Sequence, residues 1–224
     1  MKTFVLNGWS ASAAAWDLCT FPRAALFSYT DQLDGLPEQA LAREEAVVLV
    51  GWSMGGSSAL RLLLAHPEKV KGLVLVAATP CMMKAEGWDG LSPRRLEALR
   101  VGVQLTHGAG FFGTPAGKPN PYACDRDANL ARGLDYLART DLRADLTAAF
   151  GARPYAGPVS IFHSRRDGIV RPGNAVFLKN LFPSAELTWV EGGEHALPIQ
   201  IPELIDRAVA RVAGGCGREC SGVF

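Results

Sequence analysis

The stretch AVVLVGWSMGG, residues 46–56, joins an apolar run to a serine with glycines on both sides. The unbroken apolar run predicts a strand buried on both faces of a parallel sheet. In the pattern G-x-S-x-G the serine lies on a sharp turn from a strand to a helix, and the glycines let the two elements pass closely. Ser53 would then stand at the carboxyl edge of the sheet, beside helix N–H groups that favour negative charge. The pattern predicts a nucleophile; the alternative is an ordinary glycine-rich turn.

Short apolar runs alternate with helical patterns along most of the chain. The predicted strands cover residues 3–6, 25–29, 47–51, 72–77, 159–163 and 186–190. The predicted helices cover residues 12–18, 38–45, 53–65, 173–181 and 202–212. This alternation predicts an α/β fold, with a compact, mostly parallel sheet of about six strands and helices on both faces.

Residues 81–150 interrupt the alternation. They carry the helical fragments PRRLEALRVGV and DANLARGLDYLART, joined by the glycine- and proline-rich piece HGAGFFGTPAGKPNPYA, and contain no predicted strand. We predict that they form a helical lid inserted over one end of the sheet. Residues 1–80 and 151–213 would form the α/β core, and residues 214–224 a flexible tail.

An acid and a histidine follow Ser53 in the order that a nucleophile elbow requires. Asp167 follows the predicted strand 159–163, and His195 follows the predicted strand 186–190. The carboxyl ends of parallel strands meet at one edge, so these residues are predicted to join Ser53 as a catalytic triad. The alternatives are that Asp167 pairs with an adjacent arginine or serves its own turn, and that His195 is an ordinary loop histidine.

An acyl-transfer site also needs an oxyanion hole. One donor should be the backbone N–H of Met54, directly after the nucleophile, and the other should come from the loop after the first strand. That loop, VLNGWSAS, indicates the backbone N–H of Trp9. The Trp9 ring is also a candidate for one wall of the substrate pocket; the alternative is simple core packing.

The composition limits the function classes. The chain has 224 residues, 48% hydrophobic and 20% charged, which is enough to bury a substantial core and excludes compositional disorder. A formal net charge of +1 gives no global attraction to nucleic acid or an anionic membrane. No apolar run approaches the roughly 20 residues that span a bilayer, and the first residues lack a signal-peptide pattern. We expect a cytoplasmic protein that does not act on membranes or nucleic acid.

Five scattered cysteines do not form a disulfide framework for a chain with this much core. Cys216 and Cys220, in GGCGREC, have a C-x3-C spacing but no histidine or second cysteine pair nearby. Tetrahedral zinc needs four good ligands, so a reduced tail is the favoured interpretation over a metal site. No metal or cofactor is predicted.

Several stretches carry a resemblance to a known family. They are NGWSASAAAW, GWSMGGSSALRLLLAHPEKVKGLVLVAATPC, GLDYLARTDLRADL, RRDGIVRPGNA and EGGEHA. On these residues the chain resembles the α/β-hydrolase superfamily, and within it the pimeloyl-acyl carrier protein methyl ester esterases of biotin biosynthesis (the BioH type). The elbow, acid and histidine stretches are shared by many hydrolases. The combination of GWS with HPEKV and TPC, followed by GLDYLARTDLR, is more particular to these esterases.

The resemblance implies an α/β-hydrolase fold and a serine esterase with Ser53 as nucleophile, Asp167 as acid and His195 as base. Trp9 and Met54 would be the oxyanion donors. Such enzymes hydrolyse the methyl ester of a pimeloyl chain held on acyl carrier protein, release methanol, and need no metal or cofactor.

The resemblance also implies a role for the lid. In such esterases lid arginines recognise the acidic carrier protein; here the same residues could equally form a solvated helix face. The candidates are Arg94, Arg95, Arg100, Arg132, Arg139 and Arg143. Phe111 and Phe112 are predicted to line an acyl channel and so to bind substrate. Asn7 stands where the family usually has a histidine that orders the loop after the first strand.

Three functions remain open at this level. The first is a monomeric serine carboxylesterase (EC 3.1.1 type) that works through an acyl-enzyme on a carrier-bound or free short ester. In the most specific form of this hypothesis the substrate is the methyl ester of pimeloyl-acyl carrier protein. The second keeps the same triad but cleaves an acyl thioester, as a type II thioesterase does, or a carbon–carbon bond. The third is a binding protein without turnover, and the complete set of catalytic residue types argues against it.

Overall fold

The computed structural model describes residues 1–21, 24–106 and 125–214. Phe111 and Phe112, predicted to bind substrate, lie outside these ranges, as do Cys216 and Cys220. No helix within the described ranges is both long enough and apolar enough to span a membrane.

Six strands form one sheet in which every neighbouring pair is parallel, in the order β2-β1-β3-β4-β5-β6. The strands are β1 (Lys2–Leu6), β2 (Ala24–Phe27), β3 (Val47–Trp52), β4 (Val70–Val76), β5 (Val159–His163) and β6 (Glu186–Trp189). Each matches a predicted strand within two residues at either end. The predicted α/β class and the six-stranded parallel sheet are confirmed.

Nine α-helices lie within the described ranges, together with a short 3-10 helix at Ala13–Trp16. The helices are α1 (Tyr29–Leu33), α2 (Leu36–Ala42), α3 (Met54–Ala65), α4 (Pro93–Thr106), α5 (Asp127–Arg139), α6 (Arg143–Phe150), α7 (Gly173–Leu181), α8 (Leu197–Gln200) and α9 (Pro202–Gly214).

Some predicted elements differ in detail. The helix predicted over residues 12–18 is wrong, because only a four-residue 3-10 turn forms, with Ala15 and Trp16 buried in the core. The strand predicted to end at Tyr29 stops at Phe27, because Ser28 and Asp31 form a reciprocal capping box that starts α1. Helix α9 also continues to Gly214, the first residue of the predicted tail.

The sheet is covered on both faces, as the unbroken apolar strands predicted. On one face Leu49 and its neighbours pack against Leu60 of α3 and Leu178 of α7. On the other face Val50 belongs to a second cluster with Val209 of α9. The sheet therefore forms the middle of three layers.

A third apolar cluster lies beyond the carboxyl edge of the sheet. It joins Leu96 of α4 and Leu134 of α5 to Trp9 and to Met54, the first residue of α3. The described part of residues 81–150 thus contributes two helices that cover the end of the sheet where Ser53 lies. Isolated bridges such as Met83 to Leu91 occur there, but no strand forms in this described part.

Candidate active site

Ser53 occupies a strained turn between β3 and α3. Its backbone angles are φ 56° and ψ −118°, outside the regions that side-chain-bearing residues ordinarily adopt. The surrounding structure holds the turn, since the Ser53 N–H donates to Val76 O at 3.0 Å and Ser53 O accepts from Gly56 N at 2.9 Å. The residue that carries the hydroxyl is thus itself strained, and Ser10 and Ala77 also have positive φ angles.

The glycines around Ser53 are required by close approach of the backbone. A Cβ on Gly51 would lie 2.5 Å from Gly55 O, and one on Gly55 would overlap the carbonyl oxygen of Leu6. Any side chain at either position would push α3 away from β3 or β1. These distances confirm that Gly51 and Gly55 let the strand and the helix pass closely.

The structure brings Ser53, His195 and Asp167 together. His195 Nε2 lies 2.9 Å from Ser53 Oγ, and His195 Nδ1 lies 2.8 Å from Asp167 Oδ2. A carboxylate can only accept, so Nδ1 carries the proton that it donates to Asp167, and Nε2 is left to accept the hydroxyl proton of Ser53. All three residues are buried, with Asp167 only 2% exposed.

Asp167 is held as a carboxylate by its surroundings. Its Oδ1 accepts the backbone N–H groups of Ile169 at 2.8 Å and Val170 at 2.9 Å. Burial disfavours the charged form, but the attraction of His195 and the hydrogen bonds outweigh it and hold the pKa of Asp167 below its usual value. The predicted alternative of an adjacent arginine partner does not occur, because the ion-pair partners of Asp167 among the described residues are histidines, and Arg165 stacks over the Trp189 ring.

Two side chains that sequence analysis did not identify fix the His195 loop. Trp52 Nε1 donates to His195 O at 3.0 Å, and Ser164 Oγ donates to Gly193 O at 2.5 Å. Trp52 follows Gly51 in the elbow and Ser164 lies in the acid loop, so each links the histidine loop to another part of the triad. Nothing in the sequence pattern indicates these partners.

The loop after β1 lies against Ser53. A Cβ on Gly8 would be 3.4 Å from Ser53 Cβ, and Trp9 lines the same cavity as Ser53 and His195. Met54 begins α3, so its N–H belongs to the first turn of a helix, where N–H groups lack intrahelical acceptors. The two residues predicted to supply the oxyanion donors therefore lie close to Ser53, Met54 as the next residue in the chain and Trp9 in the lining of the same cavity.

Asn7 orders this loop. Its Oδ1 accepts from Gly8 N and from Trp16 Nε1, both at 3.1 Å, and its Nδ2 donates to Ser12 O at 2.9 Å. Gln32 Nε2 adds a bond to Asn7 O at 2.9 Å. Asn7 thus joins both ends of the loop through its hydrogen bonds. In the family that the chain resembles, a histidine usually occupies this position.

His163 ends β5 and lies behind the acid, away from the cavity. It is fully buried, its Nε2 lies 2.9 Å from Val170 O and 4.0 Å from Asp167 Oδ2, and its Nδ1 has no partner among the described residues. Desolvation lowers the pKa of His163, although the neighbouring Asp167 acts in the opposite direction. The lowered pKa favours the neutral ring, and because Val170 O can only accept, Nε2–H is the donor in their hydrogen bond.

An apolar cavity opens beside the hydroxyl of Ser53. Most of its walls come from α4, α5 and the loops at the carboxyl edge; the apolar lining residues are Trp9, Trp52, Met82, Leu91, Leu96, Leu99, Leu134, Leu137 and Ile169. Arg95 is the basic residue in this lining. Such a cavity suits an aliphatic chain next to a nucleophile.

The six candidate lid arginines fall into two groups. Three are engaged in ion pairs, namely Arg100 with Asp135, Arg132 with Asp34, and Arg143 with Asp141. The other three, which have no ion pair within the described ranges, are exposed: Arg94, Arg95 and Arg139.

No group of three or more histidine, cysteine, aspartate or glutamate side chains could hold a metal ion among residues 1–21, 24–106 and 125–214. Ser53 and His195 line the cavity and are hydrogen-bonded to each other, and His195 is hydrogen-bonded in turn to the carboxylate of Asp167. This arrangement can activate a hydroxyl nucleophile through general base catalysis.

Comparison with known proteins agrees with this geometry. Residues 23–100, which include Ser53, match the family model described as the alpha/beta hydrolase fold. A pimeloyl-acyl carrier protein methyl ester esterase from Aeromonas hydrophila is 26% identical over 94% of this chain and 94% of its own length. One from Aliivibrio fischeri is 28% identical over 86% of this chain and 85% of its own. The resemblance that the sequence motifs indicated is confirmed.

Solved structures share the fold. An esterase from Exiguobacterium antarcticum superimposes with a TM-score of 0.71 at 18% identity, covering 94% of this chain and 90% of its own. A bromoperoxidase from Bacillus anthracis gives a TM-score of 0.72 at 20% identity, covering 95% of this chain and 91% of its own. The chain has the α/β-hydrolase fold.

Proposed function

We propose that this α/β hydrolase is a serine carboxylesterase that forms an acyl-enzyme on Ser53. The observation that carries the proposal is the pair of hydrogen bonds that runs from Asp167 through His195 to Ser53, next to an apolar cavity. The similarity to named esterases over most of the chain supports the same class of reaction.

In the acylation half-reaction, Ser53 Oγ attacks the ester carbonyl carbon while His195 Nε2 takes the hydroxyl proton. Asp167 stabilises the imidazolium that forms and keeps Nδ1 protonated. The negative oxygen of the tetrahedral intermediate accepts hydrogen bonds from the N–H groups of Trp9 and Met54. When the carbon–oxygen bond of the leaving group breaks, His195 returns the proton to it and the alcohol departs.

In the deacylation half-reaction a water molecule takes the place of the alcohol. His195 removes one proton from the water as its oxygen attacks the acyl carbon, and the same two N–H groups bind the second oxyanion. Collapse of this intermediate breaks the bond to Ser53 Oγ, which recovers its proton from His195. The products are one carboxylic acid and one alcohol, with the enzyme unchanged.

For the substrate we propose the methyl ester of a pimeloyl chain carried on acyl carrier protein. The names of the relatives support this choice, and the apolar lining of the cavity matches the chemistry of a methylene chain. Arg94, Arg95 and Arg139 are exposed and have no ion pair within the described ranges, so they are available to an acidic carrier. Phe111 and Phe112 retain their predicted role as acyl-chain contacts.

The test is the intact mass of methyl-pimeloyl-acyl carrier protein after incubation with wild type and with Ser53→Ala. We expect the carrier to lose the mass of one CH2 with wild type only, because hydrolysis replaces a methyl ester by an acid. If the methyl ester survives while the whole acyl chain leaves the carrier, the enzyme is a thioesterase. If the carrier is unchanged, the proposed substrate is wrong.

A further inference from the structure

A hydrogen bond joins helix α5 to the loop after β1, which carries Trp9, a candidate oxyanion donor. The indole Nε1–H of Trp9 donates to Leu130 O at 3.0 Å, and both groups are buried. A carbonyl oxygen has two lone pairs, so Leu130 can accept this bond in addition to one within the helix. The contact joins residues far apart in the sequence, one in the loop after β1 and the other in α5.

Further polar contacts fix α5 to the core on the same side. The Tyr29 hydroxyl, at the start of α1, donates to Asp125 Oδ2 at 2.5 Å, just before α5 begins. Arg132 of α5 pairs with Asp34 at the end of α1, at 2.5 Å. Helix α5 therefore has a set position relative to the loop after β1.

Gly133 leaves no room for a side chain between α5 and the Trp9 ring. A Cβ there would lie 2.7 Å from Trp9 Nε1, nearer still to Trp9 Cδ1, and 3.3 Å from Tyr29 Cδ2. Real Cβ atoms essentially never approach other atoms to under 3.0 Å. A glycine inside a helix costs about 1 kcal/mol relative to alanine, so a glycine at this buried position has a packing reason.

The ring and the backbone N–H of Trp9 belong to one residue, directly after Gly8, where a Cβ would lie 3.4 Å from Ser53 Cβ. Two groups of α5 hold the Cδ1–Nε1 edge of the ring, through the hydrogen bond to Leu130 O and the close packing at Gly133, so the loop has little freedom to rotate. A shift of the ring would move the N–H from the place where negative charge develops. An oxyanion donor stabilises the transition state only if its N–H already points at the position of the negative oxygen before the reaction begins.

We propose that Gly133 is a positioning residue for the oxyanion hole. By leaving room for the Trp9 ring against α5, it sets the direction of the Trp9 N–H beside Ser53. This inference rests on the proposed esterase function.

The first test is Gly133→Ala, measured with a soluble p-nitrophenyl ester. We expect kcat to fall at least about tenfold while KM changes less, because an oxyanion contact strengthens in the transition state. The affinity for a boronic acid, which forms a tetrahedral adduct with the serine, should fall by a similar factor. The matched control is Gly173→Ala in α7, where a new Cβ has open space and activity should stay at the wild-type level.

The second test asks whether Gly133 acts through Trp9. In a Trp9→Ala background the obstructing ring is gone, so adding Gly133→Ala should lower kcat by less than about twofold. If Gly133→Ala does not fold, the test is Trp9→Phe, which removes the Nε1–H that donates to Leu130 O. We expect this variant also to lower kcat by a larger factor than it raises KM.

The outcomes separate the two proposals. A wild-type protein that does not hydrolyse the ester contradicts the esterase function itself. An active wild type together with an unchanged kcat in Gly133→Ala, or an equal loss of kcat in both Trp9 backgrounds, contradicts the role of Gly133 alone. If Gly133→Ala is unfolded, an unchanged kcat in Trp9→Phe likewise contradicts the role of Gly133 alone.

Discussion

His195 Nδ1 lies 2.8 Å from Asp167 Oδ2, although the two residues are 28 positions apart in the chain. Each residue comes from the loop after a different strand, β5 for the acid and β6 for the histidine. The parallel pairing of β5 with β6 brings the two loops side by side. The hydrogen bond therefore follows from the sheet topology, and it sets which nitrogen of His195 faces Ser53.

Removal of the nucleophile or the base should abolish turnover. We expect Ser53→Ala and His195→Ala each to lower kcat by at least about 10⁴-fold, and the double variant to be little worse, because triad members act as a unit. Ester hydrolysis and circular dichroism on the three variants measure this. Additive losses in the double variant would contradict the assignment.

Asp167→Asn should lower kcat by about 10⁴-fold with little change in the fold. An amide at this position can donate to Nδ1, which favours the tautomer with the proton on Nε2, so that His195 no longer accepts from Ser53. The control is Asp145→Asn, an exposed carboxylate on α6 that lies outside the site. A mild loss in Asp167→Asn would place the functional acid elsewhere.

Asn7→Ala should destabilise the protein by at least about 2 kcal/mol, because the buried N–H groups of Gly8 and Trp16 and the half-buried carbonyl of Ser12 lose their hydrogen-bond partner. The loop lies beside Ser53, so kcat should also fall. Urea unfolding and steady-state kinetics measure the two effects. The matched control is the exposed Asn180→Ala, expected to change stability by less than about 0.5 kcal/mol. Equal effects of the two substitutions would show that Asn7 does not order the loop.

His163 should make stability depend on pH. The pKa of His163 is lower in the folded protein than in the unfolded chain, so on acidification the unfolded chain binds the proton first. The contribution of neutral His163 to the free energy of unfolding is fully present above 6.5, the pKa of histidine in the unfolded chain. It is lost as the pH falls below that value, by up to about 1.4 kcal/mol per pH unit.

The measurement is the free energy of unfolding of wild type and His163→Gln between pH 8 and pH 5, roughly the range of histidine titration. The glutamine amide can still donate to Val170 O but does not titrate. We expect the slope between pH 6.5 and 5 to be smaller in the variant. Identical slopes in the two proteins would mean that His163 is not the group responsible.

Much of the site was predictable because it depends on local patterns. Unbroken apolar runs mark the strands, and Ser53, Asp167 and His195 each follow one of them within a few residues. The glycines at 51 and 55 are explained by the close approach of α3 to β3 and β1. Parallel strands then bring the three residues to one edge.

The parts that were not predicted depend on contacts between distant segments. Trp52 reaches His195 O, Ser164 reaches Gly193 O, and Trp9 reaches Leu130 O. A single sequence carries no periodic signal for such pairs. The start of α1 is a different case, because the Ser28 capping box is a local pattern that the sequence contains. Tyr29 belongs to a residue type that favours strands, so the strand was predicted to continue through it.

The most direct test of the central claim is intact-mass analysis of the protein after reaction with a fluorophosphonate. We expect one phosphonyl group per chain in the wild type, located at Ser53 by peptide mapping, and none in Ser53→Ala. No adduct on the folded wild type, or the same adduct on Ser53→Ala, would contradict the claim that Ser53 is the activated nucleophile of a serine esterase.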